Sequence, residues 1–121
     1  MKIALDAMGG DHAPAAVVAG GVAAAQDFNL SVQFVGRPDI IEAELANHHT
    51  IGLDLSIIPA TEVIGMNEQP AAAVKKKKDA SMVVGLRLIK EGKSDAFVTA
   101  GNSGGALAAA LGISFPVFSA R

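Results

Sequence analysis

The stretch Lys2-Ile-Ala-Leu-Asp-Ala-Met-Gly-Gly-Asp-His-Ala-Pro14 sets the pattern that the rest of the chain repeats. Its opening apolar run, Lys2 to Asp6, predicts a short strand that ends on a carboxylate. The adjacent glycines Gly9 and Gly10 predict a turn directly after that strand. From Pro14 onward, apolar residues recur at helical spacing, and proline is tolerated in the first turn of a helix. The stretch therefore predicts a strand, a glycine turn and a helix.

The alternation of strand and helix continues along the chain. The predicted strands are 2–6, 31–35, 53–58 and 96–99. Five helices are predicted: one from Pro14, one over 39–46, a short one from Pro70, one over 82–91 and a final Ala/Leu helix. The first has a buried stripe of Ala15, Val18, Val22 and Ala25, and Asp79 or Ser81 is expected to cap the helix over 82–91. Strands separated by helices predict an α/β fold with a mostly parallel sheet. In such sheets ligands bind beyond the carboxyl ends of the strands, so we expect the chemistry in the loops after Asp6, Pro59 and Thr99.

Composition restricts the function classes. The chain has 121 residues, half of them hydrophobic but only 4% aromatic, so its core must consist of Ala, Val, Ile and Leu. The lack of cysteine excludes disulfides, thiolate metal sites and a cysteine nucleophile. A net charge of −2 gives no reason to expect nucleic-acid binding. Because Asp6 and the glycines interrupt any leading apolar segment, we expect a protein that is not exported.

The first glycine loop combines backbone freedom with polar side chains. Gly9 and Gly10 allow N–H groups to come close to a ligand, and the start of the following helix favours an anion. Asp11 or His12 is placed to hydrogen-bond a substrate or to transfer a proton. The alternative interpretation is a tight strand-to-helix turn in which an aspartate serves as a cap.

A second glycine-rich loop, Thr99-Ala-Gly-Asn-Ser-Gly-Gly105, enters the last helix. Free N–H groups with the side chains of Asn102 and Ser103 suit a phosphate or a developing oxyanion. The loop lacks the Gly-Lys-Ser/Thr ending of a P-loop and the Gly-x-Gly-x-x-Gly spacing of dinucleotide-binding loops, which argues against nucleotides. The alternative is a turn without a ligand.

The run Lys75-Lys-Lys-Lys78 is either a solvated face or a cation site. Four consecutive helical residues sweep about 300° around the axis, so either the helix ends here or one lysine points inward. An inward lysine requires an anion or a carboxylate nearby. His48 and His49 are interpreted as loop residues, and no metal site is predicted.

Five ordered segments resemble the PlsX family of acyl-acyl-carrier-protein:phosphate acyltransferases. The segments are Lys2 to Pro14, Ala60-Thr-Glu-Val-Ile-Gly-Met66, Lys75-Lys-Lys-Lys-Asp-Ala-Ser-Met82, Gly92-Lys-Ser-Asp-Ala-Phe97 and Ala100-Gly-Asn-Ser-Gly104. The resemblance implies a three-layer α/β/α fold related to the isocitrate-dehydrogenase-like and phosphotransacetylase folds. It also implies transfer of a fatty acyl group from acyl carrier protein to inorganic phosphate, which gives acyl phosphate for phospholipid synthesis. Proteins of this kind are expected to be cytosolic, dimeric and loosely attached to the inner membrane surface.

The residue chemistry agrees with such a reaction. Phosphate is itself an anionic nucleophile, so the reaction calls for cations and N–H groups rather than a Ser-His-Asp or Cys-His pair, and for no cofactor or metal. The lysines are also placed to meet the acidic surface of acyl carrier protein. The predicted catalytic residues are Asp11 and Asn102. The predicted phosphate- or substrate-binding residues are Gly9, Gly10, His12, Lys77, Lys78, Ser81, Gly101, Ser103 and Gly104.

Two departures from the family stand out. Family members are much longer, so residues 1–111 are interpreted as the N-terminal part of a single domain, with an incomplete sheet. Residues 112–121 do not continue as the family does, which predicts a non-native tail with exposed Phe115, Val117 and Phe118. Two alternatives remain: a non-catalytic phosphate-binding fragment, and a phosphotransacetylase-like enzyme that uses acyl-coenzyme A.

Overall fold

A computed structural model describes residues 1–112 of the chain and contains one four-stranded parallel sheet. The tail that begins after Gly112, with the predicted exposed residues Phe115, Val117 and Phe118, lies outside the described residues. The sheet order is β3-β2-β1-β4, and all three neighbouring pairs run parallel. The strands are β1 (Lys2–Asp6), β2 (Ser31–Gly36), β3 (Leu55–Pro59) and β4 (Ala96–Val98).

Helices cover both faces of the sheet. They are α1 (Ala15–Phe28), α2 (Pro38–Leu45), α3 (Pro70–Lys76), α4 (Ser81–Lys90) and α5 (Ser103–Gly112). On one face, Val18 of α1 and Ile41 of α2 pack with Phe34. On the other face, Leu88 of α4 packs with Val35, the next residue of β2, because neighbouring side chains of a strand point to opposite sides. A further cluster joins α3, α4 and α5. The predicted three-layer α/β/α arrangement with a parallel sheet is therefore confirmed.

The chain changes direction in the sheet at β1. It proceeds from β1 outward through β2 and β3, then returns to place β4 on the other side of β1. The loops that leave β1 and β4 consequently start side by side, at the carboxyl edge of the sheet. In open α/β sheets, a crevice forms at such a switch of strand order, and ligands bind there. The topology thus brings the two glycine-rich loops to one place.

Contrary to the expected core of Ala, Val, Ile and Leu alone, two phenylalanines pack against glycines of the helices, one on each face of the sheet. The Phe34 ring on β2 lies against Gly21 of α1, and the Phe97 ring on β4 lies against Gly85 of α4. A methyl group at either glycine would overlap the facing ring. With so few aromatic residues, the close approach of helix and sheet depends on these ring-to-glycine contacts.

The structure corrects several sequence-based boundaries. Neither Asp79 nor Ser81 caps α4: the helix begins at Ser81, follows Ala80 and has no side-chain cap. The Asp79 carboxylate instead accepts hydrogen bonds from the N–H and hydroxyl of Thr61, at 2.9 and 2.6 Å, because that loop packs beside it. Pro14 precedes the first helical residue rather than lying in the first turn.

Two predicted core positions also differ. Ala15 is exposed, and Gly21 takes its place in the buried stripe of α1 with Val18, Val22 and Ala25. The third strand begins at Leu55 rather than at Leu53, because Leu55 is the first residue that pairs with β2. Within residues 1–112, no helix is long and apolar enough to cross a membrane.

Candidate functional site

The first glycine loop is shaped by a carboxylate at the end of β1. Asp6 is only 2% exposed. Its Oδ1 accepts the N–H groups of Met8 at 3.1 Å and Gly9 at 3.0 Å, so the chain turns back immediately after the strand. Gly10 then has a φ of 100°, a conformation that residues with a side chain rarely adopt. The turn is therefore built from an aspartate followed by two glycines.

The second glycine loop begins at Thr99, directly after β4. The Thr99 hydroxyl oxygen accepts the N–H of Gly101 at 3.0 Å. Asn102 is 7% exposed, and its Oδ1 accepts the N–H of Gly105 at 3.0 Å, which satisfies one free donor in the first turn of α5. The Asn102 amide nitrogen donates to the carbonyl oxygens of Gly65 and Glu68, at 3.1 and 3.2 Å. Asn102 thus joins the start of α5 to the loop before α3.

The two glycine loops are in contact. A Cβ atom on Gly9 would lie 3.2 Å from the Cα of Gly101, and one on Gly10 would lie 3.1 Å from the Cβ of Ala100. The Thr99 hydroxyl donates to Asp6 Oδ2 at 2.8 Å, which links the loops directly. The sequence-predicted residues Gly9, Gly10 and Gly101 are therefore brought together.

The junction of the loops carries backbone donors with no partner. At this junction, among the described residues 1–112, the N–H groups of Gly10, Asp11, His12, Ser103 and Gly104 donate no hydrogen bond. Free N–H groups in a turn and in the first turn of a helix attract anions. Asp11, His12, Ser103 and Gly104 are also exposed, so these positions are open to a ligand.

A cavity of about 290 Å³ lies over the first loop. Its lining consists of Gly9, Gly10, Asp11, His12, Ala13, Ala16, Val17 and Ala100. A second, apolar groove of about 490 Å³ adjoins it and shares Ala16, Val17 and Ala100. This groove lies between α1 and the strands β1 and β4. The cavity over the first glycine loop therefore opens beside an apolar groove.

In the lysine run, both predicted alternatives occur: the helix ends there, and one lysine points inward. Helix α3 ends at Lys76, and Lys77 turns inward, where its Nζ lies 2.6 Å from Glu68 Oε1 and donates to the Val63 carbonyl oxygen at 2.8 Å. The hydrogen bond from Lys77, with a second from the Gly65 N–H, lowers the pKa of Glu68 below its ordinary value. Two of the three N–H donors of the Lys77 ammonium group are thus engaged, so the predicted phosphate-binding role would have to use the third donor or replace one of these contacts.

Two other predicted residues lie apart from the loop junction. Lys78 is exposed just after the end of α3. Ser81 is buried at the start of α4, and its N–H donates to the Glu62 carbonyl oxygen at 3.0 Å. Its neighbour Met82 reaches the second loop, because a Cβ on Gly101 would lie 3.2 Å from the Met82 methyl carbon. In the described part of the chain, no three His, Asp or Glu side chains form a group that could hold a metal ion.

Sequence reasoning missed Asp6 and Thr99 as site residues. Asp6 carried one usable signal, since aspartate often accepts N–H groups two and three residues further on and so forms a turn. The partnership of Asp6 with Thr99 had no local signal, because 93 residues separate the two.

The fold and the loop junction define a class: an α/β protein with a doubly wound parallel sheet and a crevice at the switch of strand order, where sheets of this kind bind ligands. Comparison with known proteins is more specific. Residues 1–115 match the model of the fatty acid synthesis protein family, and the chain belongs to this family.

Relatives of this chain carry the name phosphate acyltransferase, among them the following three. The chain is 50% identical to that of Herpetosiphon aurantiacus over 111 residues, 52% identical to that of Heliobacterium modesticaldum over 112, and 46% identical to that of Geobacter sulfurreducens over 111. Each match covers 92% of this chain but only 30%, 33% and 32% of the respective relative. The chain thus spans about a third of the length of these relatives.

Proposed function

We propose that this chain supplies the phosphate-binding part of an acyltransferase, which moves a fatty acyl group from acyl carrier protein to inorganic phosphate. The observation that carries the proposal is the meeting of two glycine loops, with free N–H groups, at the switch of strand order. The family and the names of the relatives support the same reaction class.

The reaction needs positioning more than a protein nucleophile. A phosphate oxygen attacks the thioester carbonyl carbon, the C–S bond breaks, and the carrier thiol leaves with a proton while acyl phosphate forms. Donors that hold the phosphate beside the thioester make this attack effectively unimolecular. Donors aimed at the carbonyl oxygen stabilise the tetrahedral oxyanion. The N–H groups near Gly10 and Ser103 are of the kind that both tasks require.

Two further surfaces suit the proposed substrates. The apolar groove beside the loop cavity matches the chemistry of a fatty acyl chain. The exposed Lys75, Lys76 and Lys78 lie on one segment and suit an acidic carrier protein, since complementary charge guides association. As part of this proposal, the whole protein is cytosolic, dimeric and loosely attached to the inner membrane surface, and its product feeds phospholipid synthesis.

The decisive experiment measures acyl-phosphate formation from long-chain acyl carrier protein and inorganic phosphate. The 121-residue chain is compared with a fusion that adds the remaining length of the Heliobacterium modesticaldum relative. We expect activity in the fusion and little or none in the short chain, because about two thirds of the relatives' length has no counterpart here.

The other outcomes separate the alternatives. Activity with acetyl-coenzyme A, but not with acyl carrier protein, would favour a phosphotransacetylase-like enzyme. Phosphate binding without turnover by either form would favour a non-catalytic anion-binding fragment.

A further inference from the structure

The buried carboxylate of Asp6 is hydrogen-bonded to both glycine loops. Its Oδ1 accepts two N–H groups of the first loop, and its Oδ2 accepts the Thr99 hydroxyl at 2.8 Å. Thr99 accepts the Gly101 N–H with the same oxygen atom that donates to Asp6. A continuous chain of hydrogen bonds therefore runs from Gly9 through Asp6 and Thr99 to Gly101.

Three donors form hydrogen bonds to this carboxylate, and this number explains why the position needs an aspartate. An ionised carboxylate offers two oxygens that only accept, whereas an asparagine in its place would offer one. Within residues 1–112, no lysine, arginine or histidine forms an ion pair with Asp6, so hydrogen bonds alone satisfy it. A buried charge held in this way fixes the groups around it, because releasing any donor leaves a lone pair unsatisfied.

The negative charge of Asp6 argues against a direct contact with phosphate. Two anions at short distance repel each other, and the Asp6 oxygens are already occupied. Asp6 instead accepts the N–H groups of Met8 and Gly9. The N–H groups of the next three residues, Gly10, Asp11 and His12, lie at the cavity.

We propose that Asp6 is a positioning residue, which acts through Thr99 to couple the geometry of the first glycine loop to that of the second. The proposal rests on the proposed function for its purpose, which is to hold a phosphate site in shape before the ligand arrives. Preorganised donors bind and stabilise charge better than donors that must first be ordered.

The test uses the full 121-residue chain and the variants Thr99→Val, Thr99→Ser and Asp6→Asn. Thr99→Val keeps the side-chain shape and removes the hydroxyl, whereas Thr99→Ser keeps the hydroxyl. Thr61→Val is the matched control, because it removes a similar hydroxyl-to-carboxylate hydrogen bond, to Asp79, outside both loops. Amide hydrogen exchange is measured by NMR at Gly9 and Gly101, and inorganic phosphate is then titrated.

We expect Thr99→Val to accelerate exchange at both Gly9 and Gly101 by about tenfold and to weaken phosphate binding by a similar factor. Thr99→Ser should restore both within about threefold, and Thr61→Val should leave both glycines unchanged. Asp6→Asn should accelerate exchange at both glycines as well; if it does not fold, Thr99→Val still decides the matter.

Faster exchange at Gly101 with no change at Gly9 would overturn the proposal, because the loops would then move independently. If exchange is coupled but the wild-type chain binds no phosphate, the positioning role of Asp6 is supported and the proposed phosphate site is wrong. The exchange measurement thus separates the failure of one idea from the failure of the other.

Discussion

The two residues predicted to be catalytic have different surroundings. Asp11 is exposed at the edge of the loop cavity. Asn102 is buried, and its side chain makes three hydrogen bonds to backbone atoms. The geometry thus leaves Asp11 free to contact a substrate, whereas Asn102 would have to give up a hydrogen bond to do so.

We expect Asn102→Ala to lower the free energy of unfolding by about 1–3 kcal/mol, because it leaves buried backbone groups without partners. Asp11→Ala should change it by less than about 0.5 kcal/mol, as exposed substitutions do. In the fused, longer form, Asp11→Ala should nonetheless reduce acyl-phosphate formation by about 100-fold. Urea denaturation and the acyl-phosphate assay measure the two effects. Unchanged activity in Asp11→Ala would contradict its predicted catalytic role.

Glu68 gives the loop before α3 a dependence on pH. The hydrogen bond from Lys77, and then that from the Gly65 N–H, lowers the pKa of Glu68 in the folded chain. A carboxyl with a lowered folded pKa stabilises the fold above its ordinary pKa, and this contribution disappears as pH falls through the folded value.

We therefore expect Glu68→Gln to be less stable than the wild type at pH 7, with a difference that shrinks as pH falls below the ordinary value of about 4.5. Denaturant midpoints between pH 7 and pH 3 test this. Glu42→Gln, at an exposed position of α2, is the matched control and should show no such trend. A stability difference for Glu68→Gln that is constant over this range would contradict the role of the Lys77 contact.

At the scale of elements, the contact between α4 and β4 depends on a missing side chain. Gly85 lies in the interior of α4, where alanine would normally favour the helix by about 1 kcal/mol. Because the Phe97 ring occupies the space of the methyl group, we expect Gly85→Ala to destabilise the chain by about 1–3 kcal/mol instead.

The double variant Gly85→Ala/Phe97→Leu tests the cause of this loss. A smaller side chain at Phe97 makes room for the methyl group, so the double variant should lose less stability than the two single changes added together. Gly20→Ala is the control, since a Cβ on that exposed helical glycine meets no atom within 4 Å. It should be neutral or slightly stabilising. Strict additivity of the two changes would show that the ring is not the obstacle.

The same elements show how far the sequence predicts the structure. The predicted bounds of the four strands and of α2 and α4 lie within about two residues of the observed ones, because apolar periodicity and Gly or Pro at the ends are local signals. The cap of α4 was wrong because Asp79 bonds to Thr61, which is distant in sequence. Helical geometry predicted that either the helix ends in the lysine run or one lysine points inward, but it could not identify Glu68 as the partner of Lys77. Contacts between residues that are distant in sequence cannot be read from a local sequence pattern.

At the scale of the whole molecule, strand order suggests which strand pairs form early in folding and which form late. Lys2 of β1 pairs with Ser31 of β2, whereas Ile3 pairs with Ala96 of β4. The second pairing closes a loop about three times longer, which adds about 1 kcal/mol of closure entropy. The local half of the sheet is therefore favoured to form first.

We expect Val32→Ala, in β2, mainly to slow refolding, and Phe97→Leu, in β4, mainly to accelerate unfolding. Because the chain has no Trp or Tyr, far-ultraviolet circular dichroism in a stopped-flow instrument is the suitable probe. If Phe97→Leu slows refolding as much as Val32→Ala does, the β1–β4 pair already belongs to the folding nucleus.

The central position of β1 also affects the chain while the ribosome is still synthesising it. About 60 residues separate the end of β2 from the start of β4, and at about 5–20 residues per second their synthesis takes roughly 3–12 s. During that interval, the edge of β1 that later receives β4 carries unpaired N–H and C=O groups, which attract other extended chains. The nascent protein is therefore most vulnerable to misassociation at the strand whose last residue, Asp6, later joins the two glycine loops.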